Sequence, residues 1–150
     1  MDYYYTEERP VPLDRQELYL MLRAMRPEDR RFVVPTWVRS LAASRRGEQR
    51  RRTLRVYWGV VDRVLDAPGT RVVVMASDGA ARTLHAWACA TGDVLHYAYV
   101  PPELRHEGLA RQAITAVLGS YPEHVATSHA WPFESARFRR QDHHLLRQAA

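Results

Sequence analysis

The sequence predicts an α/β (α+β) domain with a mixed, mostly antiparallel sheet, one parallel pair of strands and flanking helices. Two observations support this class. Apolar residues recur at helical spacing between residues 34 and 65, and strand-like runs separated by turns occupy residues 71 to 100. Near the C-terminal end a strand, a helix and a second strand follow one another, and a helical connection of this kind typically joins parallel strands.

The N-terminal half is predicted to contain one strand and two helices. ELYLMLRA (17–24) has the composition of a strand. A first helix is expected to begin near Pro27-Glu28-Asp29, where proline and acidic residues suit a first turn, and Pro35 would kink this helix or delay its start. After an arginine-rich connection, a second helix is expected over 54–65 and is stopped by Ala67-Pro68-Gly69.

The second half is predicted to begin with a three-stranded antiparallel meander. VVVMA, TLHAWACA and VLHYAYV are separated by turns at Asp78-Gly79 and Thr91-Gly92-Asp93. A helix over 109–118 follows, with Gly119 near its end. We expect HVATSH to form a further strand and ESARFRR a short helix.

Composition limits the class of protein. With 150 residues of which 46% are hydrophobic, the chain suits a single domain over 16–150, preceded by an unpatterned tail over 1–15. No run approaches the roughly 20 apolar residues of a membrane span, so we expect a cytoplasmic protein that does not contact membranes. The single Cys89 excludes an internal disulfide and is expected in the core, and no set of residues at ligand spacing predicts a metal site.

The basic residues are of one kind. All 22 Lys and Arg positions are arginine, and the net charge is +5, which suggests a GC-rich genome. Without lysine, a Schiff base or a Walker-type phosphate lysine is excluded. Guanidinium groups suit phosphate and stacked bases, so a nucleic-acid partner is compatible with this charge.

A short motif marks the junction between VLHYAYV and the helix over 109–118. Arg105 is followed by Gly108 and then by Ala110. The free N–H groups of a first helical turn and the positive end of the helix dipole favour an anion, and small residues let its oxygens approach the backbone. The alternative is an ordinary strand-to-helix turn with a glycine for tight packing.

With this motif at this place, the order of elements resembles the GNAT superfamily of acyl-CoA-dependent N-acyltransferases over roughly Leu18 to Arg140. The resemblance implies a splayed parallel pair of strands and direct transfer of an acyl group, expected to be acetyl from acetyl-CoA, to an amine. The region after HVATSH is short, as in small phage-encoded members, so the final strand pair is expected to be missing or vestigial. A homodimer partner could then supply the missing wall of the acceptor pocket. Implied cofactor-binding residues are Tyr99, Val100, Arg105, His106, Gly108, Leu109, Ala110 and Arg111.

The sequence offers three candidate residues for moving protons. Family members often use a carboxylate on the equivalent of VLHYAYV as base and a tyrosine on the last helix as acid, and neither is evident here. Alternation places His96 on one face with Val94, Ala98 and Val100, and its ordinary pKa of about 6.5 suits a base near neutrality. His129 is a second candidate base and Tyr97 a candidate hydroxyl. The alternative for His96 is a hydrogen-bonded histidine within the sheet.

The acceptor is left open by the sequence. The run RRGEQRRR contains Arg45, Arg46, Arg50, Arg51 and Arg52. These arginines either form a solvated surface or, with Trp131, border the acceptor groove and favour a nucleic-acid base or modified nucleotide. A protein amine and a small-molecule amine are also compatible. A rival hypothesis is a non-catalytic adaptor with the same fold that binds nucleic acid or protein through its arginines.

Overall fold

A computed structural model describes residues 9–12, 19–43, 45–77, 83–121, 125–127 and 138–140. These residues form one sheet in which the strands lie side by side in chain order. The elements are β1 (Arg9–Pro12), β2 (Tyr19–Ala24), α1 (Arg30–Leu41), α2 (Gly47–Asp66), β3 (Thr70–Ser77), β4 (Leu84–Thr91), β5 (Val94–Tyr99), α3 (Leu109–Leu118), β6 (Val125–Thr127) and β7 (Phe138–Arg140).

The sheet is mixed and mostly antiparallel, as predicted. The pairs from β1 to β5 are antiparallel, and the predicted meander corresponds to β3, β4 and β5. β6 pairs parallel to β5 through α3, and β7 adds a second parallel pair. The predicted fold class is therefore confirmed at the level of a mixed α/β sheet with flanking helices.

The helices cover both faces of the sheet. α3 buries Leu109, Ala113 and Ile114 against one face. α1 and α2 cover the other face and contribute buried residues such as Trp37 and Val60. Apolar side chains dominate both clusters, and burial of apolar surface is the main favourable contribution to folding. Among the described residues no helix is both long and apolar enough to cross a membrane.

Arginine side chains hold the helices in position. Arg71 on β3 donates to the carbonyl of Val117 near the end of α3 at 2.8 and 3.0 Å, and to the carbonyl of Gly92 at 2.8 Å. On the opposite face, Arg30 of α1 pairs with Asp62 and Asp66 of α2 at 3.1 and 2.7 Å. The C-terminal end of α3 is thus attached to the sheet, and α1 is attached to α2.

The start of α2 differs from the prediction, whereas the helical region of α1 begins close to the expected residues. A single 3₁₀ turn occupies Pro27–Asp29, and α1 follows from Arg30 with Pro35 inside it. α2 begins at Gly47, so most of the arginine run expected to be a connection is the first part of a helix. Arginine has high helix propensity, and an amphipathic helix can extend beyond its buried stripe at little cost.

The ends of the chain also differ from the prediction. Arg9–Pro12, within the expected tail, pairs with β2 as an edge strand, a position that tolerates Pro10 and Pro12. Phe138–Arg140, expected to be helical, forms β7 beside β6. Pairing with an exposed strand edge satisfies the backbone donors and acceptors and outweighs a local helical preference. Within the described residues the C-terminal region therefore contributes one short strand.

Candidate functional site

The turn between β5 and α3 has a left-handed backbone at two positions. The φ of His106 is 68° and the φ of Gly108 is 77°. Gly108 tolerates this conformation without strain, whereas His106 adopts it at a cost of about 1 kcal/mol or more. A side-chain carbon built on Gly108 would meet no atom within 4 Å, so the space in front of the turn is open. Such a strained non-glycine residue is a marker of functional backbone.

The first turn of α3 directs free amides into this space. The helical hydrogen-bond ladder starts with the amide of Gln112, which donates to the carbonyl of Gly108 at 3.1 Å. The N–H groups of Leu109, Ala110 and Arg111 precede that ladder and lie at the positive end of the helix dipole. The arrangement can bind an anion through main-chain donors.

Exposed charged side chains surround the turn. Arg105 donates through Nε to the carbonyl of Val100 at 3.1 Å and is thereby attached to the end of β5. The guanidinium of Arg111 lies 4.7 Å from the centre of the Tyr121 ring. Glu103, also exposed, contributes an opposing charge. The local field is therefore mixed, and anion binding here depends on the amides and on the geometry of the two arginines.

β5 and β6 form the predicted parallel pair at the start of β5. Val94 and Leu95 pair with Ala126 and Thr127, and β5 continues to Tyr99. The side chain of Thr127 is buried. The described parallel pairing thus covers the N-terminal part of β5. The C-terminal part of β5 leads directly into the turn before α3.

A β-bulge at His96 changes the predicted faces of β5. Leu95 pairs with Ala90, and Tyr97 pairs with Cys89, so His96 is an extra residue opposite no partner. Leu95 consequently packs on the α3 side of the sheet, whereas the His96 ring lies 6.2 Å from Trp37 on the α1 side. The predicted placement of His96 on the same face as Ala98 and Val100 is wrong, because strict alternation fails at a bulge.

His96 is fully buried and hydrogen-bonded. Its Nε2 lies 2.8 Å from Oγ1 of Thr91, which lies 2.7 Å from Oγ1 of Thr70. Both threonines are partly exposed. A chain of hydroxyl groups therefore connects the buried imidazole to the end of the sheet at which β5 begins. This chain can orient the ring or carry a proton.

Aromatic side chains pack around His96 on the α1 side. The rings of Trp37 and Tyr97 are stacked with centroids 6.2 Å apart, and Trp87 lies 5.4 Å from Trp37. Trp87 donates to Oγ1 of Thr36 at 2.8 Å, whereas Nε1 of Trp37 is buried and has no acceptor among the described residues. A buried indole donor without an acceptor costs free energy.

The predicted acceptor arginines have different roles in the structure. Arg46 donates to the carbonyls of Ala43 and Arg45, and Arg50 donates to the carbonyl of Ala42 at the end of α1. These guanidinium groups act as a C-terminal cap. Arg51 pairs with Glu48 of the same helix at 3.1 Å, and Arg52 is exposed. Arg46 and Arg50 thus contact the end of α1, whereas Arg51 and Arg52 are exposed on α2.

Other predicted residues lie outside the described part of the chain. They are His129 and Trp131, and no position is assigned to either. Within the described ranges no group of three or more His, Cys, Asp or Glu side chains could hold a metal ion. Cys89 is buried in the α1-side cluster, and burial raises its pKa, as expected for a core thiol.

Sequence reasoning did not single out His85. The register shift in β4 leaves His85 as an extra residue between Ala86, which pairs with Met75, and Leu84. Its Nε2 is buried and has no hydrogen-bond partner among the described residues. Burial lowers the pKa of His85, and the nearby Glu103 carboxylate partly offsets this effect. Bulges leave no reliable mark in a single sequence, so alternation could not identify this position.

Comparison of the chain with models of protein families, with characterised proteins and with solved structures finds no match in any of the three.

Proposed function

We propose that the protein is an acyl-CoA-dependent N-acyltransferase that transfers an acetyl group from acetyl-CoA to an amine. The observation that carries this proposal is the turn between β5 and α3. There, a left-handed glycine, open space and the free amides of a helix N-terminus follow a strand that has a parallel neighbour. The proposal places the protein in the cytoplasm and requires no metal.

The residues of the turn fit the diphosphate of CoA. The amides of Leu109, Ala110 and Arg111 would donate to phosphate oxygens, which can approach because Gly108 has no side chain. The guanidinium of Arg105, attached to the end of β5, would add a charged donor. The main chain of Tyr99 and Val100 would hold the pantetheine arm. The bound co-substrate supplies an activated acyl thioester.

We assign proton removal from the attacking amine to a histidine on β5. His96 can accept a proton, and its Nε2 is joined to the hydroxyls of Thr91 and Thr70. The phenol of Tyr97, on the same side of the sheet, is proposed to protonate the leaving thiolate. His129 is retained as the alternative base.

The acceptor class that best suits this chain is a nucleic-acid base or a modified nucleotide. The net charge of +5 is carried wholly by arginine, and a positive field attracts polyanions and repels small cationic amines. Arg52 remains available for such an acceptor, and Arg51 lies beside it. A protein amine and a small-molecule amine are the alternative acceptors, and a homodimer could complete the pocket.

Binding of acetyl-CoA tests the proposal directly. Calorimetry should detect binding of acetyl-CoA and of CoA, and a ligand at 100 times its dissociation constant should stabilise the fold by about 2.7 kcal/mol. Gly108→Glu should abolish binding because the carboxylate occupies the phosphate position. Gly69→Glu is the matched control, since Gly69 has φ 79° against 77° for Gly108 and equally open surroundings. Absence of binding to the folded wild-type protein would refute the acyltransferase proposal.

A non-catalytic adaptor is the second candidate, favoured by the burial and hydrogen bonding of His96. Acyl transfer separates the two. Mass spectrometry of an amine-bearing oligonucleotide incubated with acetyl-CoA and protein should show the acetylated product if the protein is an enzyme. Oligonucleotide binding without any product, despite CoA binding, would favour the adaptor.

A further inference from the structure

The outward side of α2 has an unusual composition. It presents exposed Arg51, Arg52, Arg55 and Arg63 together with Trp58, and we call these residues the arginine–tryptophan face. The side chain of Arg51 is 72% exposed, and Trp58 is 47% exposed. Among the described residues, Trp58 and its neighbour Val56 are the exposed large hydrophobic side chains. Both belong to this one helix.

Helical spacing brings the members of this face together. Arg51, Arg55 and Trp58 are related by steps of four and three residues and form one stripe. Arg52 and Arg63 lie on the adjacent stripe, on either side of Val56. At 1.5 Å per residue, the face extends about 18 Å along the helix, roughly the length of five stacked nucleotides at ~3.4 Å each.

The charge of this face is largely uncompensated. Within the described part of the chain, Arg52, Arg55 and Arg63 form no ion pair and donate no side-chain hydrogen bond, whereas Arg51 pairs with Glu48. The acidic residues near the C-terminal end of α2 are engaged by Arg30 through Asp62 and Asp66. The face therefore carries a positive field suited to a polyanion.

The exposed indole decides which polyanion fits best. A base can stack on Trp58 while flanking arginines contact phosphates, the combination found in proteins that bind single-stranded nucleic acid. A membrane surface fits less well, because the apolar stripe of α2, including Val60 and Val64, is buried against the sheet. An acidic peptide would use the arginines and leave the indole without a partner.

We propose that the arginine–tryptophan face of α2 binds single-stranded DNA or RNA, with a base stacked on Trp58 and phosphates held by Arg52, Arg55 and Arg63. This inference deepens the proposed function by naming the acceptor as a single strand. The binding itself does not require acyl transfer or CoA.

Fluorescence anisotropy with a labelled single-stranded oligonucleotide, measured on the full chain without CoA, tests the proposal. We expect binding at low salt, with log affinity falling against log salt at a slope of about −0.7 per phosphate contact. The double variant Arg52→Ala/Arg55→Ala should reduce the magnitude of this slope by about 1.4. Arg31→Ala/Arg39→Ala, which removes two exposed arginines from α1, is the matched control and should leave the slope unchanged.

Substitution of Trp58 tests the stacking contact. Trp58→Ala should weaken binding by about 5- to 150-fold, while Trp58→Phe should retain most of the affinity because it keeps an aromatic surface. Circular dichroism checks that each variant is folded. Since Trp58 is a surface side chain on a helix held by its opposite face, these variants are expected to fold normally.

Several outcomes would overturn the proposal. They are no binding at low salt, equal affinity for duplex and single strand, equal competition by poly-glutamate, or equal binding by wild type and Trp58→Ala. The proposed acyltransferase stands or falls separately, because calorimetry with acetyl-CoA is done on the same protein. Oligonucleotide binding without CoA binding would support the arginine–tryptophan face and refute the acyltransferase proposal. CoA binding without oligonucleotide binding would refute the proposal for this face and leave the acyltransferase proposal standing.

Discussion

Replacement of Asp29 by alanine should remove a large part of this domain's free energy of unfolding. Asp29 lies between the end of β2 and the start of α1, and its side chain is 6% exposed. The carboxylate accepts from both terminal nitrogens of Arg23, one of them at 3.1 Å, and from the backbone N–H of Arg26 at 2.7 Å. Asp29→Ala removes both oxygens that these donors use.

The expected loss follows from the burial of this pair. The Arg23 side chain is 12% exposed, so its charge would remain largely buried beside an alanine. Removing one member of a buried ion pair costs about 3–5 kcal/mol, against a total stability of about 5–15 kcal/mol. Asp29→Asn should cost less, since an amide oxygen still accepts one hydrogen bond. Asp66→Ala, which removes a carboxylate that is 69% exposed and paired with Arg30, should have a smaller effect than either.

The lowered pKa of the Asp29 carboxyl should make the stability of the fold depend on pH. Burial alone would raise the pKa of Asp29, but hydrogen bonds from Arg23 and Arg26 outweigh it, and the pKa lies below its ordinary value of 3.8. Because the unfolded chain binds the proton more tightly, the contribution of Asp29 is present above about pH 4 and is lost as pH falls below it. Asp29→Ala should therefore flatten the acid side of the stability profile.

Urea denaturation monitored by circular dichroism measures both the loss of stability and its dependence on pH. The midpoint should fall at pH 7 with an unchanged dependence on denaturant, since the surface exposed on unfolding is similar. A double-mutant cycle with Arg23→Ala isolates the pair, because each single variant also affects other contacts. A loss below about 1 kcal/mol for Asp29→Ala would show that the pair is solvated like a surface salt bridge, and the reasoning from burial would be wrong.

Three further predictions concern buried titratable groups. If His96 removes the proton from the acceptor amine, His96→Ala should lower the rate of acetyl transfer by about 10²- to 10⁴-fold, and Thr91→Val should alter the acid limb of the pH–rate profile. Unchanged turnover in both variants would refute this role. The His85 imidazole, followed by NMR, should titrate below its ordinary pKa of 6.5, and Glu103→Gln should lower that pKa further. Because the unfolded state binds the proton more tightly, the free energy of unfolding should fall as pH drops below about 6.5. An NMR titration midpoint above 6.5 would contradict the argument from burial. The Cys89 thiol should react with an alkylating reagent only when the protein unfolds, at a rate that increases with urea, and rapid labelling of the native protein would contradict its burial.

The order and type of most elements could be predicted from local patterns. Alternation and turn residues identified β3, β4 and β5, and the boundaries of α3 were correct at both ends. In α3 the apolar spacing and the flanking Gly108 and Gly119 agree, so propensity, pattern and capping support the same helix. The position of the glycine-containing turn before α3 was predicted for the same reason, since its conformation depends on residues that are adjacent in the chain.

The faces of β5 and the roles of the arginines could not be predicted in this way. A bulge at His96 depends on the register between β4 and β5, and register is set by cross-strand packing that no local window contains. Arg46 and Arg50 cap α1 because the end of α1 and the start of α2 meet in space. Trp58 became a candidate binding residue only when its helix was seen to bury the opposite face.

The sequence by itself determined that this chain forms one mixed α/β sheet with helices on its faces and a helix N-terminus suited to an anion after β5. These features follow from periodicity, composition and turn chemistry, which act over a few neighbouring residues. The tertiary structure alone decided the pairing of β1 and β7 at the sheet edges, the burial of His96 with its threonine hydroxyls, and the exposure of the α2 face. Each of these depends on contacts between residues distant in the chain, where packing and burial outweigh local preference.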